Sequence, residues 1–505
     1  PSSVTSLGSG VFRDCKSLEQ MTLSDNITSM SGSTFEGCSN LRSVKLPSSC
    51  EAIYGHTFAG CTSLSEITIP TKVTAIYNNA FANCSSLRSI EIPYRVTDID
   101  YQAFMGCTSL SSITLSSHLE SIGSSCFSGC TALSSIALPA SLTTIGREAF
   151  LNCSALKRVD ISDLEAWFAL SIEYPNTSNP TYYSRNLYLN GEELTSITIP
   201  ESVTTIDDND FLYLDNLKSL TIPDHYTGIF EDWFRGHASI ESVKIGNGVS
   251  EIAARAFNEC SKLSQVTIGS GVKEIGLYAF AECSSLKSIS IPSSVTAIGF
   301  NCFEGCTSLQ SATLSDKITI IENDTFNGCS ALREVNIHAA ITEIESNAFK
   351  DCSSLSGAFT LTNVTKIGSN AFENCSLLSG VEFGSKLEYI GGAAFYNCSA
   401  LKTVTIPNSV TEVRESAFRG CSSLTRVSIG TGVTALGSNS FVDCPVLTDI
   451  KCAATTPPKV NKIYTFNYLF DSNVEGRTIK VPKASVESYR TASIWSEYAS
   501  DIVGF

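Results

Sequence analysis

The chain has 505 residues, 43% of them hydrophobic and 17% charged, with a formal net charge of −16 at pH 7. That balance argues against nucleic acid, where Lys and Arg must displace the counterions condensed on phosphate, and against docking on an anionic bilayer. No run approaches the roughly 18–20 apolar residues that span a membrane, so no direct membrane insertion is expected.

One period organises the chain. Phe-x-x-Cys occurs at Phe12/Cys15 and at every twenty-third residue to Phe150/Cys153, then again from Phe257/Cys260 to Phe441/Cys444. Phe211/Leu214 and Phe234/His237 fill part of the interval in register, which makes 18 units. A fixed period of this length predicts a repeat solenoid, one supersecondary unit per turn. The chain opens on Pro1-Ser2-Ser3-Val4, the middle of a unit (compare Pro292-Ser293-Ser294-Val295), so it is expected to start inside a repeat, with a trimmed natural N-terminus.

Within a unit such as 283–306, Leu286, Ile289 and Ile291 alternate as a strand that puts one face inward. Pro292 ends the strand because it has no N–H for the ladder. Val295 and Ile298 predict a second short strand on the opposite wall. Gly299 is expected where a turn needs free φ, and the stretch through Phe303 and Cys306 is expected as a short helical turn with Phe303 inward. Sixteen of the 20 cysteines are then one column of buried thiols about 4.8 Å apart, the strand spacing. Stacked in register they suit disulfide geometry poorly and act as small hydrophobes and weak donors. Cys126, Cys302, Cys452 and Cys50 are also expected in the core. No C-x-x-C pair exists, and no metal site is expected.

The pattern L-x-x-I-x-I-P-x-x-V-T-x-I-G-x-x-A-F-x-x-C, as in Leu87-x-x-Ile90-x-Ile92-Pro93-x-x-Val96-Thr97-x-Ile99 and Leu401-x-x-Val404-x-Ile406-Pro407-x-x-Val410-Thr411, resembles the BspA-like branch of the leucine-rich repeats over about residues 1–452. The resemblance implies a β-rich leucine-rich-repeat solenoid of about 18 turns with a parallel β-sheet wall. It also implies a secreted or cell-surface protein that adheres to host or neighbouring cells.

Four segments follow: repeats over 1–159, an insertion over 160–195, repeats over 196–452, and a C-terminal cap over 453–505. In the insertion, residues 163–174 read as a helix with Leu164, Trp167, Phe168 and Ile172 on one side. Pro175 and Pro180 bracket a loop, and 186–194 reads as a hairpin around Asn190-Gly191, the type I′ signal. An elaborated repeat packed on the solenoid and a binding protrusion are both open, and Tyr174, Tyr182, Tyr183 and Tyr188 are the candidate binding residues, since Tyr joins an apolar ring to a hydroxyl. Asp207, Asp208, Asp210 and Asp215 read as a solvated acidic turn, lacking an EF-hand spacing. Residues 355–361 predict a β-bulge that returns Phe359 and Leu361 inward. In the cap, Thr478–Pro482 reads as a last strand and 485–500 as an amphipathic helix with Val486, Tyr489, Ala492, Trp495 and Ala499 on one face.

The five histidines fall on different turns and no catalytic motif appears, so no catalytic residue, cofactor or metal is expected. The expected role is a monomeric binding protein whose partner is a macromolecule such as a host matrix or surface protein. A structural spacer is the alternative, and a carbohydrate-binding module a weaker one resting on the insertion's tyrosines.

Overall fold

The computed structural model describes residues 3–204, 206, 211, 213–461, 468–471 and 474–505. Asp207, Asp208 and Asp210 of the expected acidic turn lie outside the described residues. The chain divides into two compact units, Pro1–Leu217 and Lys218–Phe505, and both are coils of the expected kind. Between them they make about 21 turns, more than the 18 marked by the repeat Phe, because the insertion and the cap add strands of their own.

The turn after Leu87 shows the plan. Strand Ser89–Glu91 pairs in parallel with Ser112–Thr114, residue for residue 23 apart. Pro93 breaks the strand, and its carbonyl accepts the Val96 N–H at 3.0 Å. Strand Asp98–Ile99 pairs with Ala75–Ile76 on one side and Ser121–Ile122 on the other. Leu87, Ile90, Ile92, Val96, Ile99, Phe104 and Cys107 are all buried. No turn can cover this set alone, so stability comes from neighbours.

The two walls differ. The wall of two-residue strands is unbroken over six strands in the first unit, from Ala52–Ile53 to Ser171–Ile172, and over seven in the second, from Ile320–Ile321 to Lys459–Asn461. It is interrupted between Ser29–Met30 and Ala52–Ile53 and between Ala297–Ile298 and Ile320–Ile321, and the main wall is cut more often, into sheets of two to five strands. Residues 66–68 form no strand between Ser43–Lys45 and Ser89–Glu91, and the sheet ending at Glu334–Val335 does not join Gly357–Leu361.

The corner that carries Phe and Cys is not the expected helical turn. Residues two before and two after the repeat Phe are left-handed, as at Asn79 (φ 54°) and Asn83 (φ 60°), which a right-handed helix cannot contain. Asn, Asp and Gly recur there because they tolerate that region. Alternate amides reach across: the N–H groups of Asn79, Phe81 and Asn83 donate to the carbonyls of Tyr101, Ala103 and Met105 at 3.1, 2.8 and 2.7 Å. The amides of Ala82 and Cys84 close tight turns onto Asn79 and Phe81 instead. The corner is thus a third inter-turn ladder.

Gly299 also differs from expectation. Its φ is ordinary, and a Cβ there would lie 2.5 Å from the Leu277 nitrogen. Close approach of two backbones excludes a side chain, while φ freedom is needed at the later corner position, as in Gly305 and Gly328.

The repeat phenylalanines stack face to face, for example Phe81–Phe104 at 5.2 Å and Phe257–Phe280 at 5.4 Å. All 20 cysteines are free thiols, and all but Cys15 are buried. From Cys38 on, each ladder thiol donates to the carbonyl of the previous turn's Phe, as Cys84 Sγ to Phe58 O and Cys107 Sγ to Phe81 O, both 3.1 Å. Burial pushes the Cys61 thiol up to about 12.

The bulge at 355–361 is present: strand Gly357–Leu361 pairs with Leu378–Phe383 with a register shift at Gly357/Ala358, and Leu361 is buried. Strand Thr478–Val481 pairs with Asp449–Cys452 as expected. The single cap helix is corrected to a 3-10 turn Lys483–Ser485, an α-helix Val486–Thr491 and a 3-10 turn Trp495–Tyr498. Ala492 is extended and Ile494 is left-handed at φ 71°. The break turns Trp495 and Tyr498 onto the open end of the column, where they meet Phe470 at 6.2 and 5.3 Å. Two strands were not foreseen: Lys459–Asn461, and Ile502–Gly504 beside Thr478–Val481.

Candidate functional site

The insertion is built into both walls. Asp163 caps a helix, Leu164–Ala169, by accepting the N–H groups of Glu165 and Ala166. Trp167 and Phe168 are buried beneath it. The expected helix stops at Ala169 because Ser171–Ile172 becomes a strand paired with Thr144–Ile145. The expected loop between prolines is two single helical turns, Pro175–Ser178 and Thr181–Ser184. The hairpin forms as expected, Leu187–Leu189 against Glu192–Glu193, with Asn190 and Gly191 at φ 52° and 87°. Its first strand continues the main wall beside Arg158–Ile161.

Side chains of the insertion also finish the corner of the Phe150 turn. In regular turns the flanking amides reach the next turn's carbonyls. Here the Glu148 N–H donates to Ser178 Oγ and the Asn152 N–H donates to the Tyr183 hydroxyl, both at 2.8 Å. Tyr183 therefore stands in for a backbone carbonyl.

The candidate tyrosines do not form one patch. Tyr174 is 64% exposed and lies under the Arg147 guanidinium at 4.9 Å. Tyr182 and Tyr183 are half-buried and meet edge to face at 4.9 Å. Tyr182 also meets Tyr213 at 5.2 Å, and the Arg185 guanidinium sits 5.4 Å from the Tyr182 ring and 5.1 Å from the Tyr213 ring. Tyr188 is held apart from them, on the main strand. Its ring carries Arg158 at 4.1 Å, and Arg158 is bound bidentately by Asp160 at 2.6 and 2.7 Å. Guanidiniums on the rings of Tyr174, Tyr182 and Tyr188 leave less face for sugar stacking and create Arg–Tyr pairs.

Sequence reasoning missed the arginines and Tyr213, because all of these ring contacts but Arg185–Tyr182 join residues about thirty positions apart. It also missed an exposed column at the start of the corner, Tyr54 and Tyr77, whose rings stack at 5.6 Å, and beyond them Tyr101. The 23-residue spacing of Tyr54 and Tyr77 was the available signal.

Elsewhere the surface is occupied by hydroxyl ladders. Thr62, Ser85 and Thr108 each donate to the carbonyl 23 residues earlier, at 3.1, 3.3 and 3.4 Å. The main wall has a shallow depression over residues 66–68, lined by Ser43, Glu66, Thr68, Ser89, Glu91 and Thr114. Among the described residues no three His, Cys, Asp or Glu side chains come together to hold a metal ion. His237, in a Cys position, is half-buried against Phe234.

Among solved structures, the chain is similar to a leucine-rich repeat protein of Bacteroides ovatus, with 26% identity over 81% of this chain and 88% of that one and a TM-score of 0.44. It is also similar to a leucine rich cell surface protein of Faecalibacterium prausnitzii, with 22% identity over 77% and 87% and a TM-score of 0.34. No curated protein matches it. The profile of the BspA type Leucine rich repeat region matches six times, at residues 1–110, 74–166, 181–284, 227–356, 273–385 and 357–475. With stacked Phe and Cys columns in every regular turn and this profile covering most of its length, the chain belongs to the BspA type leucine-rich repeat family.

Proposed function

We propose that the protein is a non-enzymatic, secreted or cell-surface binding protein that engages a macromolecular partner on a host or neighbouring cell. The observation that carries this reading is the clustering of Arg–Tyr pairs in and beside the insertion, Arg147–Tyr174, Arg158–Tyr188 and Arg185 with Tyr182 and Tyr213, where regular turns hold only scattered ones such as Arg95–Tyr94 and Arg414–Tyr389. Tyr and Arg are the residue types that dominate protein hot spots, and stacked pairs lose little freedom on binding. Among the described residues no helix is long and apolar enough to cross a membrane.

Removing residues 163–194 is a poor test, because strands 171–172 and 187–189 would leave both walls. The paired substitution Arg147→Ala, Tyr174→Ala spares them. In a panel of immobilised matrix and cell-surface proteins, saturable binding should weaken roughly thirtyfold or more, the size of a hot-spot loss. The spacer reading is favoured by the hydroxyl ladders, whose donors are already used within the chain. It predicts no saturable binding to the panel.

A further inference from the structure

We infer that Arg185, flanked by Tyr182 and Tyr213, is a receptor for the carboxylates of an acidic peptide segment, an inference that rests on the binding-protein reading above. Three guanidiniums of the irregular turn lie on tyrosine rings. Two of them already hold a carboxylate: Arg158 binds Asp160 at 2.6 Å, and Arg147 binds Glu148 at 3.2 Å. Arg185 is different. Among the described residues no acceptor takes a hydrogen bond from its guanidinium, although the rings of Tyr182 and Tyr213 hold it at 5.4 and 5.1 Å.

The holder is rigid. The Arg185 N–H donates to Thr181 O at 2.8 Å, and its carbonyl accepts the Asp215 N–H at 2.9 Å, so the backbone is pinned on both sides. Tyr213 is buried and its hydroxyl donates to Asn176 Oδ1. Tyr182 packs edge-on against both Tyr183 and Tyr213. The half-buried Tyr182 hydroxyl makes no hydrogen bond among the described residues, so it offers one more donor in the same cluster.

A fixed guanidinium with open N–H groups matches the two oxygens of a carboxylate. One exposed ion pair contributes little, so the ligand must be a segment with several carboxylates. The chain's charge of −16 does not forbid this. At physiological ionic strength charges farther from the site than about 8 Å are largely screened.

The test uses poly-L-glutamate, with poly-L-glutamine as the neutral control, titrated calorimetrically into the full chain at about 0.15 M salt. The full chain should bind the first and not the second. Arg185→Gln should weaken binding at least tenfold with an unchanged melting curve. Arg185→Lys keeps the charge without the fork and should fall between the two. The inference is overturned by absence of saturable polyglutamate binding, by equal binding in Arg185→Gln, or by full affinity in Arg185→Lys. Binding of dextran sulfate without polyglutamate also overturns it, in favour of a sulfated glycan. If the matrix panel still binds while polyglutamate does not, the carboxylate receptor falls and the binding-protein reading stands.

Discussion

At the scale of single residues, burial decides chemistry. The ladder cysteines are packed away from water, and burial disfavours the thiolate that any alkylating reagent needs. Cys15, at the first repeat marker, is exposed. Iodoacetamide on the folded protein should therefore modify Cys15 alone, and all 20 thiols after denaturation. Mass spectrometry showing early label on Cys84 or Cys352 would contradict the packing of the column. The two glycine positions of the repeat separate in the same way. Gly299→Ala puts a Cβ against the Leu277 backbone and should cost about 1–3 kcal/mol, as overpacking does. Gly328 is left-handed, and a Cβ there would meet nothing closer than the Gly305 nitrogen at 3.6 Å, so Gly328→Asn should stay within about 1 kcal/mol. Thermal melts of the two variants give the comparison. The sequence shows that both positions favour glycine. It does not show which of them is a matter of φ and which of space, because that depends on how closely consecutive turns approach.

At the scale of elements, the cap and the outer charges of the short strands carry measurable terms. The Tyr498 hydroxyl accepts the N–H groups of Leu469 and Phe470, each at 3.1 Å, and donates to Phe470 O at 2.9 Å. Tyr498→Phe leaves those buried amides without a partner and should cost about 1–3 kcal/mol, with earlier proteolytic cutting near residues 468–471. On the short-strand wall, burial and the carboxylates of Glu345 and Glu343 raise the pKa of Glu322, and Lys366 only partly offsets them. An acid whose folded pKa is raised opposes folding once ionised. Its penalty is full at neutral pH and disappears as pH falls through the unfolded value. Glu322→Gln should therefore raise the melting temperature at pH 7 and leave it unchanged below about pH 4. The hairpin at Asn190-Gly191 and the strand at 478–481 were legible because turn chemistry and alternation are local. The helix over 163–174 was overestimated because strand pairing of Ser171–Ile172 with a turn 27 residues earlier outweighs local helix preference. The Tyr183 hydroxyl also takes the place of a corner carbonyl, a role that no local pattern encodes.

At the scale of the whole molecule, the 23-residue period makes the fold readable from the chain alone, since every turn repeats the same core set and meets only its neighbours. The function is less readable because the regular surface spends its hydroxyls on its own carbonyls. The residues that depart from it, Arg147, Arg158, Arg185 and Tyr213, gain meaning only through their partners in space. The divided main wall predicts uneven protection. Amides of Glu66, Ile67 and Thr68 form no ladder and should exchange with deuterium orders of magnitude faster than those of Ile90 and Ile113, which lie in a paired strand. Uniform protection along the wall would contradict the break.

The same division has a mechanical meaning. The six- and seven-strand runs of the short-strand wall keep a nearly fixed length, whereas the main wall, cut into shorter sheets, has more joints. Bending that opens the main wall near residues 66–68 parts neighbours already unbonded, whereas bending that opens the short-strand wall between Ala52 and Ile172 must rupture paired strands. Each of these runs is in this sense a leaf spring, soft in one direction and stiff in the other. A load applied across it would flex at the joints and recover before any turn unravelled.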